Sequence, residues 1–103
     1  MDMKKVINGK KYDTETARKI GEDSGFWSSS FRYFNEELYQ KSNGEFFLAG
    51  EGGALTKYGV QVDSNTKGSG SKITPLTDEE AKEWVERVCS FDTYCELFGE
   101  PEE

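Results

Sequence analysis

The sequence predicts an α+β fold, a small antiparallel sheet of about four strands with helices packed on one face. Three observations predict it. Asn8-Gly9 and Ser42-Asn43-Gly44 are turn signals between strand-like segments. Thr77-Asp78-Glu79-Glu80 is a capping box, and Ala81, Trp84, Val85 and Val88 follow it at helical spacing.

The elements can be justified in order. Met3 to Ile7 and Lys10 to Tyr12 flank Asn8-Gly9, whose residues suit the two positive-φ positions of a type I′ turn, so a short hairpin is expected. Asp13 or Thr14 then offers an N-cap, Glu15 a first-turn acid and Gly21 a stop, which predicts a helix of about two turns with Ala17 and Ile20 facing inward. Glu22 to Ser30 reads as a polar link containing Gly25-Phe26-Trp27 and three serines. Phe31 to Lys41 and Glu45 to Ala49 form the arms of a second hairpin. In its return arm Phe46 and Leu48 share one face while Phe47 and Ala49 share the other, so both faces are expected to be partly covered.

Gly50-Glu51-Gly52-Gly53 reads as a corner, Ala54 to Val62 as a further strand, and Asp63 to Ser71 as a mobile loop. Lys72-Ile73-Thr74 adds an edge strand closed by Pro75, which cannot donate to a ladder. The capping-box helix follows. Phe91-Asp92-Thr93 breaks it, and Tyr94, Leu97 and Phe98 begin a second helix that ends at Gly99.

Composition narrows the class. The chain of 103 residues is read as one domain, 1–103, with an acidic helical segment over 77–99. Apolar residues are 34% of it, against about 45–50% in ordinary globular chains. Seven Phe, five Tyr and two Trp repair the deficit, so the core is expected to be thin and aromatic. No apolar run is long enough for a membrane span or a signal peptide, and the cytosol of the producing cell is the expected compartment.

Charge is unevenly distributed. Residues 1–77 carry ten acids and eleven bases, and residues 78–103 carry ten acids and two bases. The last quarter of the chain therefore carries −8 against +1 for the rest, a surplus that repels phosphate backbones and suits cationic grooves. Direct nucleic-acid binding is not expected. The absence of histidine removes the commonest general base and metal ligand, and Cys89 and Cys95 alone cannot complete a usual zinc site. No metal, cofactor or catalytic residue is expected.

Two features remain as candidates. Glu79, Glu80, Glu83 and Glu86 have helical spacing, a pattern usual for a solvated face and shared by partner-binding ones. Trp27, Phe31, Tyr33 and Phe34 form an aromatic cluster suited to core packing, except that Trp27 lies in a stretch without periodicity and is the candidate exposed anchor. Gly50–Gly53 lacks the Lys-Ser/Thr of a P-loop and leads toward a strand. Lys4, Lys5, Lys10 and Lys11 read as solvated surface that discourages edge pairing.

INGKKYDTETA (Ile7–Ala17), LYQKSNGEFFLAGEGGALTKY (Leu38–Tyr58), ITPLTDEEAKEWVE (Ile73–Glu86) and YCELFG (Tyr94–Gly99) resemble a family of short uncharacterised proteins of Gram-positive bacteria. Members are carried on phages, plasmids and conjugative elements. Some small acidic proteins of such elements are anti-CRISPR inhibitors, including inhibitors of Cas9. By analogy of genetic setting, size and charge, the resemblance implies a non-catalytic protein that binds Cas9 or another defence nuclease. The partner-binding residues expected for that role are Asp78, Glu79, Glu83, Glu86 and Trp27. The alternatives are a small nucleotide-binding protein or enzyme built on Gly50–Gly53 with Glu51, and an accessory regulator of the mobile element.

Overall fold

Strands β1 (Lys4–Ile7) and β2 (Lys10–Asp13) pair antiparallel, with Val6 opposite Lys11. The turn between them places Asn8 at φ 51° and Gly9 at φ 77°, the two positive angles that its dipeptide signals. The structure, a computed structural model, describes residues 2–103.

After β2 the chain departs from the expected helix. The Glu15 amide donates to the Asp13 side chain at 2.9 Å and the Ala17 amide to the Asp13 carbonyl at 3.1 Å, so the cap forms and one turn closes. It propagates no further. Arg18–Gly25 is strand β3, and it also absorbs the first part of the expected polar link. A nucleus of one turn adds little stability by itself. Pairing with β4 (Phe34–Gln40) gives the same residues a continuous ladder, from Arg18 opposite Gln40 to Gly25 opposite Phe34, with an irregularity at Ile20. Gly21 is therefore not a helix stop. It sits in β3 where the Cys89 sulfur and the Trp84 ring close over it, leaving no room for a Cβ.

Strand β5 (Phe46–Gly52) returns against β4 through the Ser42-Asn43-Gly44 turn and continues two residues beyond Gly50, so the expected corner is extended strand. The expected strand over Ala54–Val62 is mostly turn. Only β6 (Val60–Gln61) pairs, with β7 (Lys67–Gly68) in the segment expected to be a loop. The last strand, β8 (Gly70–Leu76), begins earlier than Lys72 and runs through Pro75. It pairs with β5 alone, so the missing amide of Pro75 falls in an edge strand where the sheet tolerates it. The main sheet has the order β3-β4-β5-β8, four antiparallel strands as expected.

Helix α1 (Asp78–Val88) forms where the capping box places it. The Glu80 amide donates to Thr77 Oγ1 at 3.1 Å, and the Thr77 amide donates to Glu80 Oε1 at 2.9 Å. Ser90 caps α2 (Phe91–Phe98), so Phe91-Asp92-Thr93 is the first turn of the second helix rather than a break. Cys89 and Cys95 are free thiols on different elements, and burial raises both pKa values.

Two cores lie on opposite sides of the sheet. Ala81, Trp84 and Val85 pack on Leu38, Phe46 and Leu48, with α2 adding Tyr94, Leu97 and Phe98. On the other face Tyr12 from the hairpin meets Phe47 edge-on at 5.5 Å, and Tyr39 stacks on Phe47 at 5.4 Å. Glu45 ties the hairpin to the β4–β5 turn through Lys10 at 2.7 Å, and Lys10 with Asn43 and Lys41 holds its carboxyl down to about 2. Leu38 and Val85 are fully buried. Leu38→Ala is expected to cost about 2–5 kcal/mol, and Thr77→Ala about 1 kcal/mol, both measured as shifts of the urea midpoint at unchanged slope.

Candidate functional site

Helical geometry sets the acidic surface. Glu79, Glu83 and Glu86 lie about 180° around α1 from the buried Ala81, Trp84 and Val85, at 100° per residue. Asp78, seven residues before Val85, falls off that stripe on the side of α1 nearer the core, at the first turn, and all four are exposed. Among the described residues none of the four has an ion-pair partner within 4.0 Å. The rest of the molecule differs. Asp13, Glu22, Asp23, Glu36, Glu37 and Glu45, six of the ten acids before residue 78, each face a Lys or Arg, whereas only Glu96 does so among the last ten. Folding thus compensates much of the negative charge of the sheet and leaves that of the helices available.

Trp27 is 82% exposed, as its aperiodic context suggests, but it does not join the acidic stripe. It follows the end of β3, level with Gly52 and Gly70, while Asp78 follows the opposite end of the sheet, level with Phe46 and Leu76. The seven residues of β5 put about 20 Å between the two levels. Of the remaining cluster, Phe31 is exposed and Tyr33 and Phe34 are half-buried, so the expected core packing holds only in part.

At the end of β3 the structure forms a groove of about 470 Å³ whose lining includes Phe26, Phe34, Leu55, Arg32, Lys57 and Arg87. Its floor is Glu36, 4% exposed. The Glu36 carboxylate accepts from the Tyr58 hydroxyl at 2.5 Å, from Trp84 Nε1 at 3.4 Å, and faces Lys57 Nζ at 2.6 Å. Burial pushes this carboxyl up, but Lys57, Tyr58 and Trp84 outweigh burial and hold it below its ordinary value. Tyr58, buried against the same carboxylate, is shifted upward. Glu37, one residue on and therefore on the other face, is likewise buried, and Tyr39 at 2.8 Å and Lys19 at 3.3 Å lower its pKa against the effect of burial.

Neither glutamate of this pair stands out in the sequence. A signal was present: two adjacent charges in one strand point to opposite faces, and both faces of the sheet were expected to be covered. The glycines of 50–53 serve the same packing. Tyr58 lies over Gly50, Thr56 over Gly52 and the Phe31 carbonyl over Gly53, each closer than a Cβ would allow. Among the described residues no group of three or more His, Cys, Asp or Glu is gathered to hold a metal, and no helix is long and apolar enough to cross a membrane. No family model, curated protein or solved structure matches the chain.

Two outcomes follow for the Glu36 network. Gly50→Ala is expected to cost about 1–3 kcal/mol or more by displacing Tyr58, seen in urea unfolding. A carboxyl held low in the folded state contributes stability above its unfolded value of 4.5, and that contribution is lost as pH falls through the folded value. Stability of Glu36→Gln measured across that acid range is expected to fall less steeply than that of the wild type.

Proposed function

We propose that this protein is a non-catalytic binding protein that acts as an anti-defence inhibitor. In this reading the carboxylate stripe of α1 docks into the cationic channel of a host nuclease such as Cas9, in the bacterial cytoplasm, and blocks nucleic-acid loading or cleavage. The observation that carries it is the unpaired stripe itself, Glu79, Glu83 and Glu86, on a helix whose opposite side is anchored in the core.

The physics is that of a phosphate substitute. Such nucleases hold guide RNA and target in a positively charged channel that reads backbone charge and shape. Along α1 the three carboxylates are spaced by about 6 Å and about 4.5 Å at 1.5 Å rise per residue. They are presented by a capped helix and need no ordering of a loop on binding, which lowers the entropic cost of association. Asp78 extends the field toward the N-terminal end, and Trp27, on a separate surface, is not part of this contact.

Nucleotide binding through Gly50–Gly53 has less support. The Cβ directions of Gly50, Gly52 and Gly53 are taken by Tyr58, Thr56 and the Phe31 carbonyl, and the segment is strand leading into a turn, with no helix N-terminus to hold a phosphate.

The test mixes the purified protein with Cas9, before and after guide loading, and follows target cleavage. Suppression is expected at molar excess, weakening as ionic strength rises because the contact is electrostatic. Reversing the stripe with Glu79→Lys, Glu83→Lys and Glu86→Lys together is expected to lower inhibition by at least about tenfold, the equivalent of 1.4 kcal/mol. Undiminished cleavage with the wild type removes the Cas9 reading, and inhibition that ignores both salt and charge reversal removes the stripe.

A further inference from the structure

The loops at the Gly25–Gly52 end of the sheet expose large apolar side chains that the fold does not use. Phe26 is 65% exposed, Phe31 70% and Leu55 63%, beside Trp27. At about 150–250 Å² per aromatic side chain, these four expose on the order of 500 Å² of apolar surface. The largest apolar patch on a typical monomer is about 300–600 Å², and a standard interface buries about 800 Å² on each partner. Together the four side chains approach the area of one side of an interface, Phe26 and Leu55 lining one groove and Phe31 lining a second with Ser28, Ser29, Ser30 and Lys67 as a polar margin.

The surface is held in place. The Gly53 amide donates to the Tyr33 carbonyl and the Leu55 amide to the Phe31 carbonyl, both at 2.8 Å, so the loop carrying Trp27 and the loop carrying Leu55 are joined. Phe26 adopts φ 64°, a left-handed conformation that a bulky residue keeps only where its surroundings impose it. Its ring nevertheless stays in solvent.

We propose that this end is the contact surface of a homodimer, with a second copy of this chain as the occupant. Charge permits that occupant. Two molecules of net charge −7 associate only where they meet away from their surplus. Residues 26–33 and 53–62 contain Arg32 and Lys57 and no acid, whereas the helices carry the excess. At the margin, Asp23 is paired with Arg87 and Glu36 with Lys57, while Glu51 accepts only a 3.4 Å bond from Tyr33. Arg32, which has no ion-pair partner among the described residues, and Glu51 put both signs in one patch, as a self-complementary two-fold contact requires. A cationic groove finds no net negative charge here, so this surface is distinct from the α1 stripe. A two-fold contact at this end leaves both stripes uncovered, and the dimer presents two of them at once.

Sedimentation equilibrium of the purified full chain, across about two decades of concentration, tests the proposal. The expected result is a reversible species of twice the 11.7 kDa chain mass. Trp27 emission shifts to the blue as it forms, while Trp84, 5% exposed, stays constant and reports the fold. Phe31→Glu and Leu55→Glu are expected to weaken association by at least about tenfold, with Trp84 emission unchanged and the urea midpoint equal to that of the wild type at concentrations where the wild type is a monomer. Trp27→Phe is expected to remove the spectral shift and keep the dimer. The stripe-reversed variant is expected still to dimerise, which separates this proposal from the inhibitory one. A wild-type monomer at the highest concentration overturns it, as does a dimer unaffected by either glutamate.

Discussion

The constraint on which the structure depends is that the β4–β5 pair is covered on both faces. α1 covers Leu38, Phe46 and Leu48, and the β1–β2 hairpin covers Tyr39 and Phe47. A strand enclosed in this way has no solvent side for a charge. Glu36 and Glu37, adjacent in β4, are therefore each buried and each satisfied by a tyrosine hydroxyl and a lysine on its own side. Buried carboxylates persist only when paired and hydrogen-bonded. The Glu36 network also ties the β5–β6 loop to the sheet through Lys57 and Tyr58, and the Leu55 amide of that loop bonds the Phe31 carbonyl.

The same coverage explains the small residues of the sheet. Gly21 admits Trp84 and Cys89, and Gly50 admits Tyr58. A chain poor in aliphatic residues obtains its core from rings laid over glycine. Among the described residues, half of the twelve buried apolar ones are aromatic, namely Tyr12, Tyr39, Phe46, Phe47, Tyr58 and Trp84, which is how 34% apolar composition closes two cores.

Charge is partitioned by the fold as well as by the chain. The sheet consumes most of its acids in ion pairs, and the helices leave nearly all of theirs unpaired, with Arg18–Glu96 at 2.8 Å and Arg87–Asp23 at 3.3 Å tying helix to sheet. The proposed binding function and the proposed dimer draw on the two results of that partition: an acidic outer face and an apolar end that is nearly balanced in charge. They are spatially separate, so one does not obstruct the other.

Local signals determined much of this protein. Asn8-Gly9, Ser42-Asn43-Gly44 and the Thr77–Glu80 box act within a few residues of backbone and formed as read, and the i, i+3, i+4 spacing of Ala81, Trp84 and Val85 set both the buried side of α1 and the acidic side opposite. The helix read over Asp13–Gly21 failed because its cap is equally local, while the alternative, a ladder with Phe34–Gln40, involves residues far along the chain. Ladder pairing over seven residues outweighs a helix of about two turns. Only the tertiary structure decided that Gly50 and Gly52 are strand, that Glu36 is buried, and that Trp27 stands apart from the acidic stripe. Each depends on which distant segment arrives at that place in the sheet, and no short window of residues contains that information.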